Sequence, residues 1–307
     1  MKLFTTKGNK LVSVNSQQFK LEKEIQTLVE TNLNELFGLE FVRSEFPLKT
    51  FRIDTLGYDK ENKSFVIVEY KRERNFSVID QGYTYLSLML NNKSDFILEY
   101  NENCKDSLKR DDVDWSQSRV IFVSPNFTEY QKNSVNFKDV PFELWEIKKY
   151  DNGLLGFLEH KTSSDVSIST IKTDVESVVG SVTKEITVYS EDYHFKKNTR
   201  RKDFVIELYK SLKDRILNLG NDIEIVFRKD YIDFKRKRPF TDIIFYTDHL
   251  RLVINLKKSE LDDPKKVCKD MSGQGHWGNG DYEVRIDLET DLDYVMFLIN
   301  QSYKKQD

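Results

Sequence analysis

Cysteines and long apolar runs are scarce in this sequence. The two cysteines, Cys104 and Cys268, lie in different halves of the 307-residue chain and form no C-x-x-C pair. This spacing argues against a disulfide framework or a zinc site and is typical of incidental thiols in a reducing compartment. Apolar runs stay well short of the roughly 20 residues that a membrane-spanning helix requires. Residues 1–4 lead directly into a polar segment, so we expect no signal peptide, no membrane contact and a cytoplasmic location.

An excess of positive charge is also missing. The formal net charge of −3 argues against a surface coated in positive potential, the usual footprint of a tight non-specific DNA binder. A local basic groove is still compatible with this charge, because an enzyme can hold a duplex through a metal site and a few arginines. The hydrophobic content of 38% and aromatic content of 13% are typical of a globular protein. The length suffices for two domains, each with its own core.

The first candidate site lies in a predicted β-hairpin. Residues 51–58 and 65–70 are rich in strand-forming side chains, and the polar segment 59–64 between them is typical of a turn. If the first and last residues of this turn pair, the hairpin also pairs Asp54 with Glu69. Directly opposed residues of antiparallel strands hold their Cβ atoms roughly 4.5–5.5 Å apart. The two carboxylates would repel, and a hard divalent cation such as Mg2+ or Mn2+ would relieve that repulsion.

A lysine completes this arrangement. Strand periodicity places Lys71 on the same face as Glu69, at the end of an apolar strand. A slip of one residue in register would move Asp54 to the opposite face and remove the site. Ordinary solvated charge is the alternative, because 32% of the residues are charged and residues 146–148 form a second Glu-x-Lys triplet.

These motifs resemble those of a known family. The R-I-D triplet at residues 52–54, the V-x-V-E-x-K-R run at residues 66–72 and the Q-x-x-x-Y spacing at residues 81–85 resemble the PD-(D/E)xK nuclease superfamily, and within it the RecB-like and NucS-like branch. The resemblance covers roughly residues 18–125. Ile53 stands where the superfamily name has proline, a departure that is common in this branch.

The resemblance implies an α/β fold with a restriction-endonuclease-like core, in which helices flank a central mixed sheet. It also implies metal-dependent hydrolysis of phosphodiester bonds in DNA. Asp54, Glu69 and the backbone carbonyl of Tyr70 would then bind Mg2+ or Mn2+. Lys71 would orient or deprotonate the attacking water and stabilise charge on the phosphate.

Two predicted helices would add to the site. In the helix over residues 20–37, Glu22 falls on the apolar stripe and Glu24 turns away, so Glu22 is the better candidate for the additional acidic metal ligand that the resemblance implies. The alternative is that both glutamates only favour the positive end of the helix dipole. In the helix over residues 76–90, Gln81 and Tyr85 share one face and would orient the water or a phosphate. Core packing of Tyr85 is the alternative.

We predict a nuclease-like domain over residues 1–160, a linker over residues 161–190, where serine, threonine and valine dominate, and a smaller α+β domain over residues 191–307 with an antiparallel meander. The last of these resembles an uncharacterised domain that recurs behind such nucleases, which implies no known activity. Within the first domain, residues 95–98 are predicted as a short buried strand.

Basic side chains mark the expected contacts with DNA. Residues 228–238 carry a local excess of positive charge with aromatic residues interleaved, which is typical of a phosphate-contacting edge. Solvated hairpin charge is the alternative. The candidate contacts to the DNA backbone are Arg52, Arg72, Arg74, Arg228, Lys235, Arg236, Lys237 and Arg238.

The sequence therefore predicts a metal-dependent DNA endonuclease. The alternative is a catalytically silent nucleic-acid-binding or scaffolding protein that retains the nuclease fold. The intact set of Asp54, Glu69 and Lys71 favours the enzyme. The form of the substrate, a role in repair or in defence, and assembly into a homodimer stay open.

Overall fold

The computed structural model describes residues 2–71, 77–168, 178–272 and 280–306. It divides into two compact units, residues 1–188 and residues 189–307. Each unit buries a hydrophobic core of its own. Two of the predicted DNA contacts, Arg72 and Arg74, lie outside the described residues.

The first unit is built around a mixed sheet. Its strands are β1 (Leu3–Lys7), β2 (Lys10–Val14), β3 (Ser16–Gln17), β4 (Glu40–Leu48), β5 (Phe51–Asp59), β6 (Ser64–Tyr70), β7 (Arg119–Ser124), β8 (Phe142–Tyr150) and β9 (Leu155–Glu159). Its helices are α1 (Glu22–Thr31), α2 (Leu33–Phe37), α3 (Val78–Asn91), α4 (Lys93–Asn103), α5 (Glu129–Ser134) and α6 (Val178–Glu185). Helix α6 lies within the segment that composition suggests as a linker.

The sheet order is β3-β8-β7-β6-β5-β4, with β9 on β8, while β1 and β2 form a separate hairpin. Strands β6, β7 and β8 run parallel to one another, and the remaining pairs are antiparallel. Strand β6 is buried along its whole length, as expected of a central strand with helices on both faces.

Helices cover both faces of this sheet. On one face Ile25 and Val29 of α1 pack with Val66 and Val68 of β6. On the other face Leu86 of α3 shares a core with Phe65 and Ile67 of β6 and with α4. This arrangement confirms the predicted fold class, a central mixed sheet flanked by helices.

Two local predictions differ from the structure. The predicted helix over residues 20–37 is split at Asn32 into α1 and α2, and Gly38 ends it in a left-handed conformation with φ of 67°, as a C-terminal glycine often does. The predicted strand at residues 95–98 is wrong, because these residues lie inside α4. Phe96 and Tyr100, one helical turn apart, are the buried side chains of that helix, and a short apolar run does not by itself distinguish a strand from a helix.

The second unit is an α+β domain. Its helices are α7 (Glu191–Lys196), α8 (Asp203–Leu217) and α9 (Leu292–Lys304), and its strands are β10 (Glu224–Phe227), β11 (Ile232–Lys235), β12 (Pro239–Phe245), β13 (Leu250–Ile254), β14 (Lys269–Asp270) and β15 (Tyr282–Ile286). The sheet order is β10-β11-β12-β13-β15-β14 and every neighbouring pair is antiparallel. Helices α8 and α9 share one core with this sheet, which confirms the predicted meander. None of the helices in the described ranges has the length and apolar character that crossing a bilayer requires.

Candidate active site

The β5–β6 hairpin has the predicted register. Its ladder runs from the pair Asp59 and Ser64 to the pair Thr55 and Val68. One step further along the same register, Asp54 lies opposite Glu69. A single-residue slip, which would place these two carboxylates on opposite faces, is therefore absent from this hairpin.

At the pair formed by Asp54 and Glu69, hydrogen bonds to the side-chain carboxylates replace the backbone hydrogen bonds of the regular ladder. The backbone N–H of Asp54 donates to Glu69 Oε1 at 3.1 Å, and the backbone N–H of Tyr70 donates to Asp54 Oδ2 at 3.0 Å. Each acidic side chain thus accepts a hydrogen bond from the opposite strand. The exchange holds Asp54 and Glu69 side by side at the carboxyl end of β6.

The neighbouring strand β4 is irregular beside this exchange. Its ladder with β5 pairs Ser44 with Thr55 and Phe46 with Ile53, so Glu45 falls opposite Asp54. Glu45 has a φ of 53°, in the left-handed region that costs a non-glycine residue roughly 1 kcal/mol or more. The backbone is therefore irregular at the position where the aspartate leaves the ladder.

Lys71 forms an ion pair with Glu69 beside Asp54. Its backbone N–H donates to the carbonyl of Val123 at 2.9 Å, which extends the parallel pairing of β6 with β7. Its Nζ lies 3.1 Å from Glu69 Oε2, and 21% of its side chain is exposed. Burial alone would lower the pKa of Lys71, but the carboxylates of Glu69 and Asp54 outweigh burial and raise the pKa. The lysine is therefore a stable cation that remains in contact with solvent.

Glu69 is the most perturbed acid of this group. Only 1% of the residue is exposed. Burial and the charge of Asp54 raise the pKa of Glu69 to about 7, although Lys71 acts in the opposite direction. A nearby cation would stabilise the ionised form of this carboxyl group and lower its pKa.

Helix α3 contributes two further side chains. The hydroxyl of Ser77 accepts a hydrogen bond from the N–H of Asp80 and caps the start of α3. One turn into the helix, Gln81 Nε2 donates to Glu69 Oε2 at 3.0 Å and to the Tyr85 hydroxyl at 3.1 Å. The Tyr85 hydroxyl in turn donates to the carbonyl of Arg52 at 3.4 Å. The structure thus brings both predicted α3 residues to the carboxylate pair.

The two glutamates at the start of α1 have different surroundings. Glu24 Oε2 accepts a hydrogen bond from the N–H of Lys20 at 3.2 Å, within the entry to its own helix. The predicted orientation of the two side chains is wrong, because Glu22 is exposed and Glu24 is partly buried. The charge of Glu22 nevertheless contributes to the raised pKa of Lys71. The structure therefore places Glu22 within electrostatic reach of the site. Its role as a metal ligand stays a prediction.

Gln26 of α1 is not among the predicted site residues. This side chain is 5% exposed, and its Nε2 donates to the backbone carbonyl of Asp54 at 3.0 Å. The available signal was the position of a polar residue between Ile25 and Val29 on the apolar stripe of α1, because a buried amide requires hydrogen-bond partners.

The predicted DNA contacts differ in exposure. Arg52 is exposed, and its Nε lies 2.7 Å from Glu45 Oε2 of β4. Lys237 and Arg238 are exposed at the turn between β11 and β12. Lys235 and Arg236 are partly exposed, and each forms an ion pair within the second unit. Contact of these side chains with DNA stays a prediction.

The prediction is wrong for Arg228. Its side chain is 7% exposed, and its Nε lies 2.8 Å from Asp233 Oδ2, a carboxylate that is itself fully buried. A buried carboxylate requires a hydrogen-bonded counter-charge, and Arg228 supplies it. The arginine therefore neutralises the interior of the second unit and is not exposed to a phosphate.

The donor set fits a small, hard cation. Mg2+ prefers oxygen ligands and is commonly bound through one or two carboxylates, with waters and substrate phosphates completing its octahedron. Asp54 and Glu69 supply two carboxylates, and the raised pKa of Glu69 marks a position where positive charge is favourable. Within the ranges that the structure describes, no group of three or more histidine, cysteine, aspartate or glutamate side chains is placed to bind a metal. An ion here would depend on these two carboxylates, a backbone carbonyl and water.

Comparison with known proteins identifies relatives of the second unit and of the whole chain. Residues 191–306 match the family model described as "Domain of unknown function (DUF5655)", which confirms the predicted uncharacterised C-terminal domain. An "Uncharacterized protein" of Haemophilus influenzae (strain ATCC 51907 / DSM 11121 / KW20 / Rd) is 50% identical over 305 residues, which cover 99% of this chain and 100% of the relative.

Two solved structures show more limited likeness. The "Structure of EndoMS-dsDNA2 complex" is 20% identical, with a TM-score of 0.29, over 42% of this chain and 47% of that one. The "crystal structure of a repair endonuclease from Pyrococcus abyssi" is 21% identical, with a TM-score of 0.23, over 39% of this chain and 45% of that one. The match spans less than half of either solved chain, and at these TM-scores it supports no inference about this protein.

Proposed function

We propose that this chain, which belongs to one full-length family with the Haemophilus influenzae protein, is a metal-dependent DNA endonuclease that hydrolyses phosphodiester bonds. The observation that supports this proposal is the meeting of Asp54, Glu69 and Lys71 at the carboxyl end of β6. Two opposed carboxylates and a cationic lysine are the residue types that phosphodiester hydrolysis with a bound metal requires. The resemblance of the surrounding motifs to PD-(D/E)xK nucleases agrees with this proposed activity.

The carboxylates would hold the ion. Asp54 and Glu69, with the backbone carbonyl of Tyr70, are the proposed ligands of Mg2+ or Mn2+, and Glu22 is a candidate for a further contact. A bound divalent ion polarises a phosphoryl oxygen and lowers the pKa of a coordinated water. Gln81 donates to Glu69 Oε2 and so keeps the glutamate in one orientation.

Lys71 would act on the attacking water and the phosphate. In the metal-free site its pKa is raised by the carboxylates of Glu69 and Asp54, an effect that a bound cation would offset. Lys71 would orient or deprotonate the attacking water and stabilise negative charge on the phosphate. Arg52, exposed beside the site, is the proposed contact to the DNA backbone, which adds affinity without sequence information.

The test is cleavage of supercoiled plasmid and of single-stranded DNA by the full chain, with Mg2+ or Mn2+ and with a chelator. We expect cutting that depends on the metal and falls by about 100-fold or more in Asp54→Ala and in Lys71→Ala. Lys148→Ala is the matched control, because Lys148 belongs to the Glu-x-Lys triplet at residues 146–148. This variant should cut DNA like the wild type.

Two outcomes would overturn the proposal. Undiminished cutting by both Asp54→Ala and Lys71→Ala would place the activity elsewhere. DNA binding without cutting in either metal would favour the catalytically silent nucleic-acid-binding protein.

A further inference from the structure

Behind the carboxylate pair, on the side of α1, lies a chain of hydrogen bonds that the proposed mechanism does not use. Its hub is Gln26, whose Nε2 lies 3.0 Å from Asp54 O, 3.0 Å from Glu30 Oε1 and 3.2 Å from Ser44 Oγ, and shares its two N–H donors among these acceptors. The three acceptors lie on β5, α1 and β4. One buried amide therefore ties the helix to two strands beside Asp54.

The chain continues from Glu30 to the other strand of the hairpin. Glu30 Oε1 also accepts a hydrogen bond from Thr55 Oγ1 at 2.6 Å. The Thr55 hydroxyl oxygen in turn accepts one from the Tyr70 hydroxyl at 3.1 Å. Tyr70 and Thr55 are both fully buried. The backbone of Asp54 and the ring of Tyr70 are thus connected through three side chains.

These contacts lie where the regular ladder is interrupted. The β5–β6 pairs end at Thr55 and Val68, and the β4–β5 pairs continue on either side of Asp54 without including it. Gln26 supplies a hydrogen bond to the Asp54 carbonyl at this interruption. A strand residue outside the ladder can change its φ and ψ angles more easily than its neighbours, so this hydrogen bond restricts the direction of the Asp54 side chain.

We propose that Gln26, Glu30 and Thr55 are positioning residues that hold Asp54 and Tyr70 in the geometry that binds the metal. The inference rests on the proposed function, because the metal site is part of it. None of the three residues touches the proposed ligand oxygens, and their effect passes through the Asp54 carbonyl and the Tyr70 ring. Groups that orient metal ligands in this way commonly change metal affinity or activity by about 10- to 100-fold when they are removed.

The test compares variants that remove one hydrogen bond with little change of shape. Gln26→Met keeps the length of the side chain and removes its donor, while Thr55→Val removes the hydroxyl. Thr55→Ser retains the hydroxyl and should restore wild-type behaviour. Ser44→Ala is the matched control, because Ser44 also accepts from Gln26 but has no contact of its own with Asp54 or Tyr70 among the described hydrogen bonds.

Three measurements separate positioning from general destabilisation. Hydrogen exchange of the metal-free protein should accelerate by about 10-fold at the amides of Asp54 and Tyr70, while the amide of Ile67 in the same sheet stays protected. Titration calorimetry should show Mn2+ binding weakened by about 10-fold. In DNA cleavage kcat should fall and KM for DNA should remain unchanged.

The inference would be wrong if Gln26→Met and Thr55→Val both kept the hydrogen-exchange rates, the Mn2+ affinity and the kcat of the wild type. Equal losses in Thr55→Ser and Thr55→Val would also overturn it, because the hydroxyl would then be irrelevant. The exchange measurement requires neither metal nor DNA, so it tests the positioning contacts even if the wild type neither binds Mn2+ nor cuts. Failure of the wild type in those two assays would count against the proposed function itself.

Discussion

Two of the four Glu-x-Lys triplets in this chain have a buried glutamate, Glu-Tyr-Lys at the end of β6 and Glu-Ile-Lys in β8. Both glutamates are buried, and both lysines contact their glutamate, with Nζ to carboxylate distances of 3.1 Å in each case. Glu69 also faces a second carboxylate, Asp54, whereas Glu146 Oε1 accepts a hydrogen bond from the backbone N–H of Phe127 at 3.2 Å. The spacing of the triplet is identical, and the partner across from the glutamate differs.

The pKa values of the two glutamates diverge accordingly. Burial and Asp54 raise the pKa of Glu69 to about 7. Burial would also raise the pKa of Glu146, but the N–H of Phe127 and the ammonium of Lys148 outweigh burial and lower it. Lys148 additionally donates to the carbonyl of Pro125 and to Asn126 Oδ1. The second triplet therefore has the contacts of a satisfied structural ion pair, and the first has an excess of negative charge.

The largest expected difference between the triplets is in DNA cleavage. Glu69→Gln removes a proposed metal ligand and should reduce the cleavage rate by about 100-fold or more. Glu146→Gln makes the same chemical change in the second triplet and should leave the rate within about threefold of wild type, since a factor of that size is less than 1 kcal/mol. Initial rates of plasmid nicking at saturating Mg2+ measure both. Equal losses in the two variants would show that the triplets are not functionally distinct.

The pH dependence of stability should have opposite sign for the two glutamates. The folded pKa of Glu69 lies near 7, above its ordinary value of 4.5. Its contribution to the free energy of unfolding is therefore complete below pH 4.5 and is lost as the pH rises through about 7, a change on the order of 3 kcal/mol. The pKa of Glu146 is lowered, so its contribution is present above pH 4.5 and is lost as the pH falls.

Urea unfolding with a chelator present, followed by tryptophan fluorescence, tests this contrast at about pH 4.5 and about pH 8.5. Relative to wild type, Glu69→Gln should gain stability between the lower and the higher pH. Glu146→Gln should change little over the same interval, because the contribution of Glu146 is lost only as the pH falls below 4.5. Parallel changes in the two variants would contradict the assigned surroundings of the carboxyl groups.

Divalent ions should stabilise the protein through the first triplet alone. At a Mn2+ concentration about 100 times its Kd, binding to the native state should raise the free energy of unfolding by about 2.7 kcal/mol. Glu146→Gln should retain this increase and Asp54→Asn should lose it, because only the latter removes a proposed ligand. Thermal unfolding with Mn2+ and with chelator measures the effect, and an unchanged increase in Asp54→Asn would exclude the ion from this site.

The smallest expected effect is the change in kcat when a hydrogen-bond donor to a glutamate is removed. Both glutamates accept a hydrogen bond from a backbone N–H, but Glu69 also accepts one from the side chain of Gln81, which mutation can remove. Gln81→Leu should lower kcat by about 10-fold, the lower end of the range for groups that orient ligands. Tyr85→Phe, which keeps the ring and removes the hydroxyl that accepts from Gln81, should have a smaller effect on kcat. A larger loss in Tyr85→Phe than in Gln81→Leu would assign the orienting role to the phenol.

Local patterns predicted much of this region correctly. The polar turn between β5 and β6 sets the register that places Asp54 across from Glu69, because residues paired near a short turn are close in the chain. The i, i+4 spacing of Gln81 and Tyr85 predicted their shared face for the same reason. The apolar run of β6 predicted a strand with both faces covered.

Other predictions failed where the deciding contact came from a distant segment. Residues 95–98 form part of a helix because Phe96 packs into the core beneath the sheet, and nothing in four residues specifies that. Arg228 is buried because Asp233 requires a counter-charge in the interior. Gln26 lies beside the site because it donates a hydrogen bond to the carbonyl of Asp54, which is 28 residues further along the chain.

The sequence by itself determined the hairpin, its register and the adjacent Glu and Lys side chains, since these depend on residues within a few positions of one another. The tertiary structure alone decided that Glu146 accepts a hydrogen bond from the N–H of Phe127, that α3 contacts Glu69 and that α1 contacts Asp54. The physical reason is that the charge state of a buried carboxyl depends on the groups within hydrogen-bonding distance. For these two carboxylates, the groups that arrive from α3 and from the segment around Phe127 are distant in the sequence, and no local pattern encodes their packing.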